Sequence, residues 1–194
     1  ADLDFPEISM IKPLSCCING QDFLKIQPGD FVVIFGSGPI GCMHAELAKA
    51  QGAATVVMCD VSDQRLELGK RFRIDHLINS TKTPPVEKIM ELTAGYGADV
   101  VITACSANIA QEQAVAMIAK RGRISFFAGL PKDNPYIKFD SIVIHYKEAS
   151  VYGAFASYRP QFEKALDYIS SGKIDAKKFV THTFPLDKIV TAME

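Results

Sequence analysis

Runs of consecutive apolar residues alternate along this chain with segments whose apolar positions recur at three- and four-residue intervals. Continuous runs at 31–35 (FVVIF), 55–59 (TVVMC) and 99–103 (DVVIT) read as strands buried on both faces of a parallel sheet. Shorter runs at 76–79, 123–127 and 150–153 read as three further strands. Between the strands lie helical patterns at 39–51, 64–72, 86–93 and 109–119, and a last one at 158–171 closed by Gly172. A short helix over 14–24 is stopped by the turn Gln27-Pro28-Gly29-Asp30, and a small strand is predicted near 179–184. Strands alternating with helices of this length specify βαβ units, hence an α/β fold with a doubly wound parallel sheet and helices on both faces.

The regular alternation divides the chain into an entering linker and helix (1–26), a central domain (27–172) and a tail (173–194). Its 194 residues are 48% hydrophobic and 22% charged, enough to bury a core unaided by disulfides or metals. A formal net charge of −1 removes any global electrostatic case for nucleic acid or for an anionic membrane surface. The five cysteines (Cys16, Cys17, Cys42, Cys59, Cys105) are odd in number, sit in apolar stretches and form no C-x-x-C pair or Cys/His cluster. They are expected to be buried free thiols and no metal site is expected within the chain. No stretch approaches a membrane span and no leader pattern opens the sequence, so a cytoplasmic location is expected. The first residue is Ala rather than Met, which fits a processed chain or a fragment.

The strongest chemical signal is Gly36-Ser37-Gly38-Pro39-Ile40-Gly41, a G-x-G-x-x-G that leaves a buried strand and opens a helix. Gly36 permits the tight turn, Gly38 lets a pyrophosphate approach the backbone, and Gly41 lets helix and strand pack closely. Pro39 falls at the first helical position, where its missing N–H costs nothing, and the helix end favours an anion. Asp60 follows 19 residues past Gly41, at the end of the second strand. An acid there accepts from ribose hydroxyls and repels a 2′-phosphate, which specifies NAD over NADP, although Arg65 five residues on is the type of group that holds such a phosphate. The expected fold is therefore a six-stranded Rossmann sheet of order 3-2-1-4-5-6. Cys105, at the end of the fourth strand, faces the cofactor crevice by topology.

With these pieces placed, the chain resembles the medium-chain, zinc-type dehydrogenases, in the branch of sorbitol (L-iditol) and threonine dehydrogenases. The resemblance runs from about Pro13 to the end, through Pro13 to Gly20 (PLSCCING), Gln27 to Asp30, the glycine loop, Asp60 with Arg65, Tyr96-Gly97-Ala98-Asp99, Gly129-Leu130-Pro131 and Thr181 to Leu186 (THTFPL). It implies that Ile40 and Gly41 line the pyrophosphate and that Asp60 and Arg65 line the adenosine ribose. It further implies that Ala128, Gly129, Leu130, Ala154 and Phe155 touch the nicotinamide side. The family's catalytic zinc belongs to a separate domain that nothing here matches, so zinc is expected only in that missing domain and no catalytic residue is expected in this chain. Where the family reads Glu-Pro-Leu this chain has Lys12-Pro13-Leu14, and Ala156-Ser157 stand where polyol dehydrogenases often carry Arg and Tyr.

The function implied is NAD(H) binding within an alcohol or polyol dehydrogenase that moves hydride between a secondary alcohol and nicotinamide, the chain being inactive alone. The alternatives are a non-catalytic NAD-binding module, a zinc-free relative of the quinone-reductase kind, and a Rossmann-like methyltransferase. His44 is expected to pack within the first helix behind the glycine loop; His76, His145 and His182 share no metal-ligand spacing. The stretch 137–153 resembles the sheet edge of a homodimer or homotetramer, and an uncovered edge strand invites pairing.

Overall fold

The computed structural model of the chain describes residues 3–193. The six strands are β1 (Phe31–Phe35), β2 (Thr55–Asp60), β3 (His76–Asn79), β4 (Ala98–Thr103), β5 (Ile118–Phe126) and β6 (Ser150–Gly153). They form one all-parallel sheet of order β3-β2-β1-β4-β5-β6. Parallel neighbours need crossovers. These are supplied by α3 (Pro39–Ala50), α4 (Asp63–Gly69), α5 (Pro85–Leu92), α6 (Asn108–Ala116) and α7 (Ser141–Lys147), with α8 (Arg159–Ser170) after the last strand. Before β1 lie α1 (Phe5–Ser9) and α2 (Ile11–Asp22), and after α8 comes α9 (Ile189–Met193).

Strand side chains alternate between two cores, one on each face of the sheet. Val33, Phe35, Val57, Cys59 and Val101 pack beneath α5 and α6. Val32, Ile34, Val56, Met58, Val100 and Ile102 pack beneath α3 and α4. A third cluster, with Leu14, Ile18, Met43, Leu47, Ala165 and Ile169, joins α2, α3 and α8. Helices α3 and α8 both leave a strand and run from the carboxyl edge of the sheet back to its amino edge. α2 lies parallel to them: Cys17 Sγ is 3.8 Å from the Ile40 carbonyl, and Gln21 Nε2 donates to the His44 carbonyl at 2.9 Å. Ser15 meets Ser157 at 2.9 Å, and Gln161 Nε2 donates to Asp22 at 2.9 Å. The first turn of α2 therefore stands at the carboxyl edge.

Several elements differ from the sequence reading. The strand expected near 179–184 does not form. Asp175 caps a 3-10 turn at Ala176–Phe179, and Phe179 stacks on Phe72 with ring centroids 4.9 Å apart, so its apolar surface is covered by an aromatic partner rather than by a ladder. The helix expected to reach residue 119 ends at Ala116. Ile118 already pairs with Ala98 in the sheet, and a register shift lies between Ala98 and Val100. Helix α7 was not expected; Asp140 starts it by accepting from Ile142 N at 2.9 Å. α2 begins at Ile11, three residues early, because Pro13 falls in the first turn, where a proline ring is tolerated.

The α3 layer is tied to the approach to β3 through Glu46, a buried acid. Glu46 accepts from Arg73 N at 2.8 Å and from Arg73 Nε at 2.7 Å, while Arg73 Nη2 donates to the Glu46 carbonyl at 2.9 Å. Glu46→Ala leaves the Arg73 backbone N–H and guanidinium without their acceptor. It is expected to lower unfolding free energy by about 1.5–3 kcal/mol, the range for hydrogen bonds to charged groups. Urea denaturation checks this, and an unchanged midpoint would remove Glu46 from the list of structural anchors.

Candidate dinucleotide-binding site

The crevice opens where the strand order reverses, between β1 and β4, at the carboxyl ends of the strands. Gly36 leaves β1 with φ +102° and donates its N–H to the Cys59 carbonyl at 2.8 Å, while Ala104 N donates to the Phe35 carbonyl at 2.8 Å. The loop is thus pinned between β2 and β4. A Cβ on Gly36 would fall 2.9 Å from the Ala104 carbonyl oxygen, and one on Gly41 would fall 1.8 Å from the Gly36 carbonyl oxygen. Gly38, the N-cap of α3, differs: its φ of −79° suits any residue, and a Cβ there would meet no protein atom within 4 Å. The side that Gly38 leaves bare is the open side of the loop, where the unpaired N–H groups of a helix start are available to an anion.

Asp60 closes the other wall. Its buried carboxylate accepts from Ser37 N at 2.7 Å through Oδ2 and from Ser62 N at 2.9 Å through Oδ1. Ser37 Oγ donates to the Arg65 carbonyl at 3.0 Å, and Ser62 Oγ caps α4 by accepting from Arg65 N at 3.3 Å. Glycine loop, β2 end and α4 start form one hydrogen-bonded unit. Beside it lies a cleft of about 150 Å³ that brings together Gly36, Asp60, Arg65 and Cys105, with Ile109 and Gln113 of α6 on its far wall.

The remaining residues expected at the site lie outside that cleft, on neighbouring parts of the same edge. Pro39 and Ile40 form the first turn of α3. Ala128, Gly129 and Leu130 follow β5; Ala128 N donates to the Thr103 carbonyl at 2.8 Å, and Gln111 Nε2 donates back to the Ala128 carbonyl at 3.3 Å. Ala154 and Phe155 follow β6, and the Phe155 ring is 91% exposed, which excludes a core role within this chain. Asn19 of α2 is buried and donates to the carbonyls of Phe155 (3.4 Å) and Ala156 (3.1 Å), steadying that loop. Ser37, Asn19, Gln111 and Val61, which also lines the cleft, were missed by the sequence reading. Val61 and Ser37 adjoin motif residues and were findable; Asn19 and Gln111 act over long sequence separations that no local pattern marks.

His44 packs as expected. Its ring is fully buried, Nδ1 lies 3.0 Å from Gln21 Nε2, and the ring meets Phe127 edge-on at 4.5 Å between centroids. Burial pushes its pKa down to about 3. His76, His145 and His182 are exposed. Of the five cysteines, all free, Cys17, Cys42 and Cys59 are buried as expected, whereas Cys16 and Cys105 are half-buried because both border the open carboxyl edge. Burial raises the Cys59 thiol to about 12 and the Cys42 thiol to about 11. Lys12 is exposed, and its Nζ lies 2.8 Å from Cys16 Sγ. Among the described residues no group of three His, Cys, Asp or Glu side chains is placed to hold a metal ion such as zinc. Among them, too, no helix is long and apolar enough to cross a membrane.

Residues 39–171, from the first helical turn behind the glycine loop to the end of α8, match the family model for zinc-binding dehydrogenases. The chain belongs to that family. It is 32% identical over 192 residues to a sorbitol dehydrogenase of Bacillus subtilis, covering 99% of this chain and 54% of that protein. A zinc-binding dehydrogenase from Clostridium scindens superposes with a TM-score of 0.90 at 25% identity, over 99% of this chain and 54% of that one. An alcohol dehydrogenase from Escherichia coli, solved in complex with NADH, superposes with a TM-score of 0.86 at 26% identity, over 95% of this chain and 53% of that one. The chain therefore spans about half the length of the relatives it matches.

The depressed His44 value bears on the stability of the fold. Below the ordinary value of 6.5 the unfolded chain binds a proton that the folded chain refuses until about pH 3. Stability from this group is complete above pH 6.5 and drains as pH falls, by up to about 1.4 kcal/mol per pH unit for one proton. Urea unfolding at pH 7 and pH 5 is expected to show this loss, and His44→Gln to reduce the slope. Equal slopes in both proteins would show that His44 does not carry it.

Proposed function

We propose that this chain is the dinucleotide-holding part of an NAD-dependent alcohol or polyol dehydrogenase and does not turn over substrate alone. The observation that carries the reading is the glycine loop: a tight turn at Gly36, helix-on-loop contact at Gly41, and an open face at Gly38 onto which a pyrophosphate fits. Bound nicotinamide supplies the hydride acceptor or donor for a secondary alcohol or its ketone. The first turn of α3, with Pro39, Ile40 and Gly41, holds the pyrophosphate. Asp60 and Arg65 hold the adenosine ribose, and Cys105 lines the adenosine side. Residues 128–130, with Ala154 and Phe155, orient the nicotinamide.

Residues 1–26 and 173–194 are assigned to the passages between this domain and the rest of the enzyme, where zinc would be held. The zinc-type family supports that assignment, and the half-length match supports a second domain. The carboxylate of Asp60 favours NAD, since a 2′-phosphate beside it would meet a like charge. The exposed Arg65 favours the alternative, NADP, and the two are separated by titration. We place the enzyme in the cytoplasm as a homodimer or homotetramer. Support comes from the free cysteines and from β6, whose outer edge has no partner strand among the described residues.

Gly38→Val tests the loop, because its Cβ meets no protein atom and its backbone angles tolerate a side chain. The variant is expected to keep the wild-type melting temperature while NADH affinity falls by more than tenfold in calorimetric titration. Wild-type protein is expected to bind NADH more tightly than NADPH, and Asp60→Ala to narrow that gap. NADH affinity retained by a folded Gly38→Val protein would defeat the assignment.

A further inference from the structure

The rim of the crevice carries a cation with no acid beside it. Lys12 stands in the first turn of α2, which descends alongside α3 and α8. Cys17, five residues and roughly 7.5 Å further down the helix, is already level with Ile40 in the first turn of α3. Lys12 therefore rises above the floor formed by the start of α3 and the loop after β6. Its Nζ lies 2.8 Å from Cys16 Sγ, Cys16 Sγ is 3.8 Å from Ser157 Oγ, and Ser157 Oγ shares a 2.9 Å hydrogen bond with the buried Ser15. Ser157 lies two residues past Phe155, in the loop whose carbonyls Asn19 holds.

The wall between α2 and that loop thus presents an ammonium, a thiol and a hydroxyl. The acids of the preceding segment face elsewhere: Asp4 and Glu7 pair with Lys177, at 3.2 and 3.8 Å. Among the described residues no carboxylate lies within 4.0 Å of Lys12 Nζ. The positive end of the α2 dipole adds to the lysine charge instead of offsetting it. Ser15 Oγ donates to the Lys12 carbonyl at 2.7 Å, so Ser157 donates to Ser15, and the ring Lys12–Cys16–Ser157–Ser15 holds the ammonium in place. A fixed positive charge with no acid beside it suits a carboxylate.

We propose that Lys12, positioned through Cys16 and Ser157, forms a subsite for a carboxylate on the substrate, so that the secondary alcohol is an aldonate-type hydroxy acid instead of a neutral polyol. The proposal rests on the reading that the nicotinamide lies over residues 128–130 and 154–155. Lys12 would grip the charged end of the substrate, with Ser157 holding the lysine in position, while the hydroxyl-bearing carbon faces that ring. The chemistry at the hydroxyl is unchanged by this; what Lys12 sets is which alcohol is held there.

The test uses the full-length enzyme saturated with NADH, titrated calorimetrically with D-gluconate, L-idonate and sorbitol. Wild type is expected to bind at least one aldonate tenfold more tightly than sorbitol. K12Q should erase that difference, K12R should keep it, and S157A should weaken aldonate binding severalfold, each with NADH affinity within twofold of wild type. A preference for sorbitol in wild type, or an aldonate preference that survives K12Q, overturns the proposal. A tenfold loss of NADH affinity in K12Q would show that Lys12 reads a cofactor phosphate, overturning the substrate subsite while leaving the dinucleotide reading intact. Failure of folded wild-type protein to bind either dinucleotide would remove that reading and the proposal with it.

Discussion

The contact between the Gly36 carbonyl and the Cα of Gly41 governs the rest of this fold. With no Cβ at Gly41, the first turn of α3 rests directly on the turn that leaves β1. That seating aims the start of α3 at the crevice and lays its flank along the sheet, burying every residue from Gly41 to Ala48. Any bulk at Gly41 would lift the helix away from β1 and thin both the β1–α3 core and the α2–α3–α8 layer outside it. The open mouth of the glycine loop and the packing of half the domain are therefore consequences of one close approach.

A helix buried on all sides must account for its polar groups, and α3 does so through two different partners. His44 gives up its charge: enclosed by Gln21 and Phe127, the imidazole stays neutral well below its ordinary pKa. Glu46 keeps an ionic partner, because Arg73 reaches it from the half-exposed segment before β3 with both backbone and guanidinium donors. One side of α3 is thereby keyed to α2 and the other to the β3 approach. The result fixes α3 in rotation as well as in height, which a glycine contact alone does not do.

The sheet was legible in the sequence because its strands are buried on both faces and therefore read as unbroken apolar runs, as at 31–35 and 55–59. The loop was legible because three glycines and an acid at fixed spacing each answer a local demand of geometry or charge. What escaped was decided at long range. The apolar tail residues 179–184 carry strand-like composition, but no ladder forms there and Phe179 stacks on Phe72 instead. The third turn of the apolar pattern that starts at Ile109 looked helical, yet Ile118 opens β5 and pairs with Ala98 of β4. Asn19 holds the loop after β6 from 136 residues away, and nothing in its own neighbourhood records that task.

The two ends of the crevice are built on different principles, and this bears on how specificity arises. At the Asp60 end the wall is internal: Asp60 is buried, both its oxygens take backbone donors, and Ser37 and Ser62 lock it to the loop and to α4. Changing Asp60 would disturb the glycine loop and the start of α4 together, so on the proposed reading dinucleotide choice is bound up with the fold itself. At the opposite end Gly129, Phe155 and Lys12 are exposed and make few internal contacts that hold the domain together. Substitution there changes charge and shape at little cost to packing, since exposed positions away from caps and cores alter stability by roughly 0.5 kcal/mol or less. On the proposed reading, a chain arranged in this way would keep its cofactor while its substrate preference is free to shift, and the lysine standing at residue 12 is the kind of change such a surface permits.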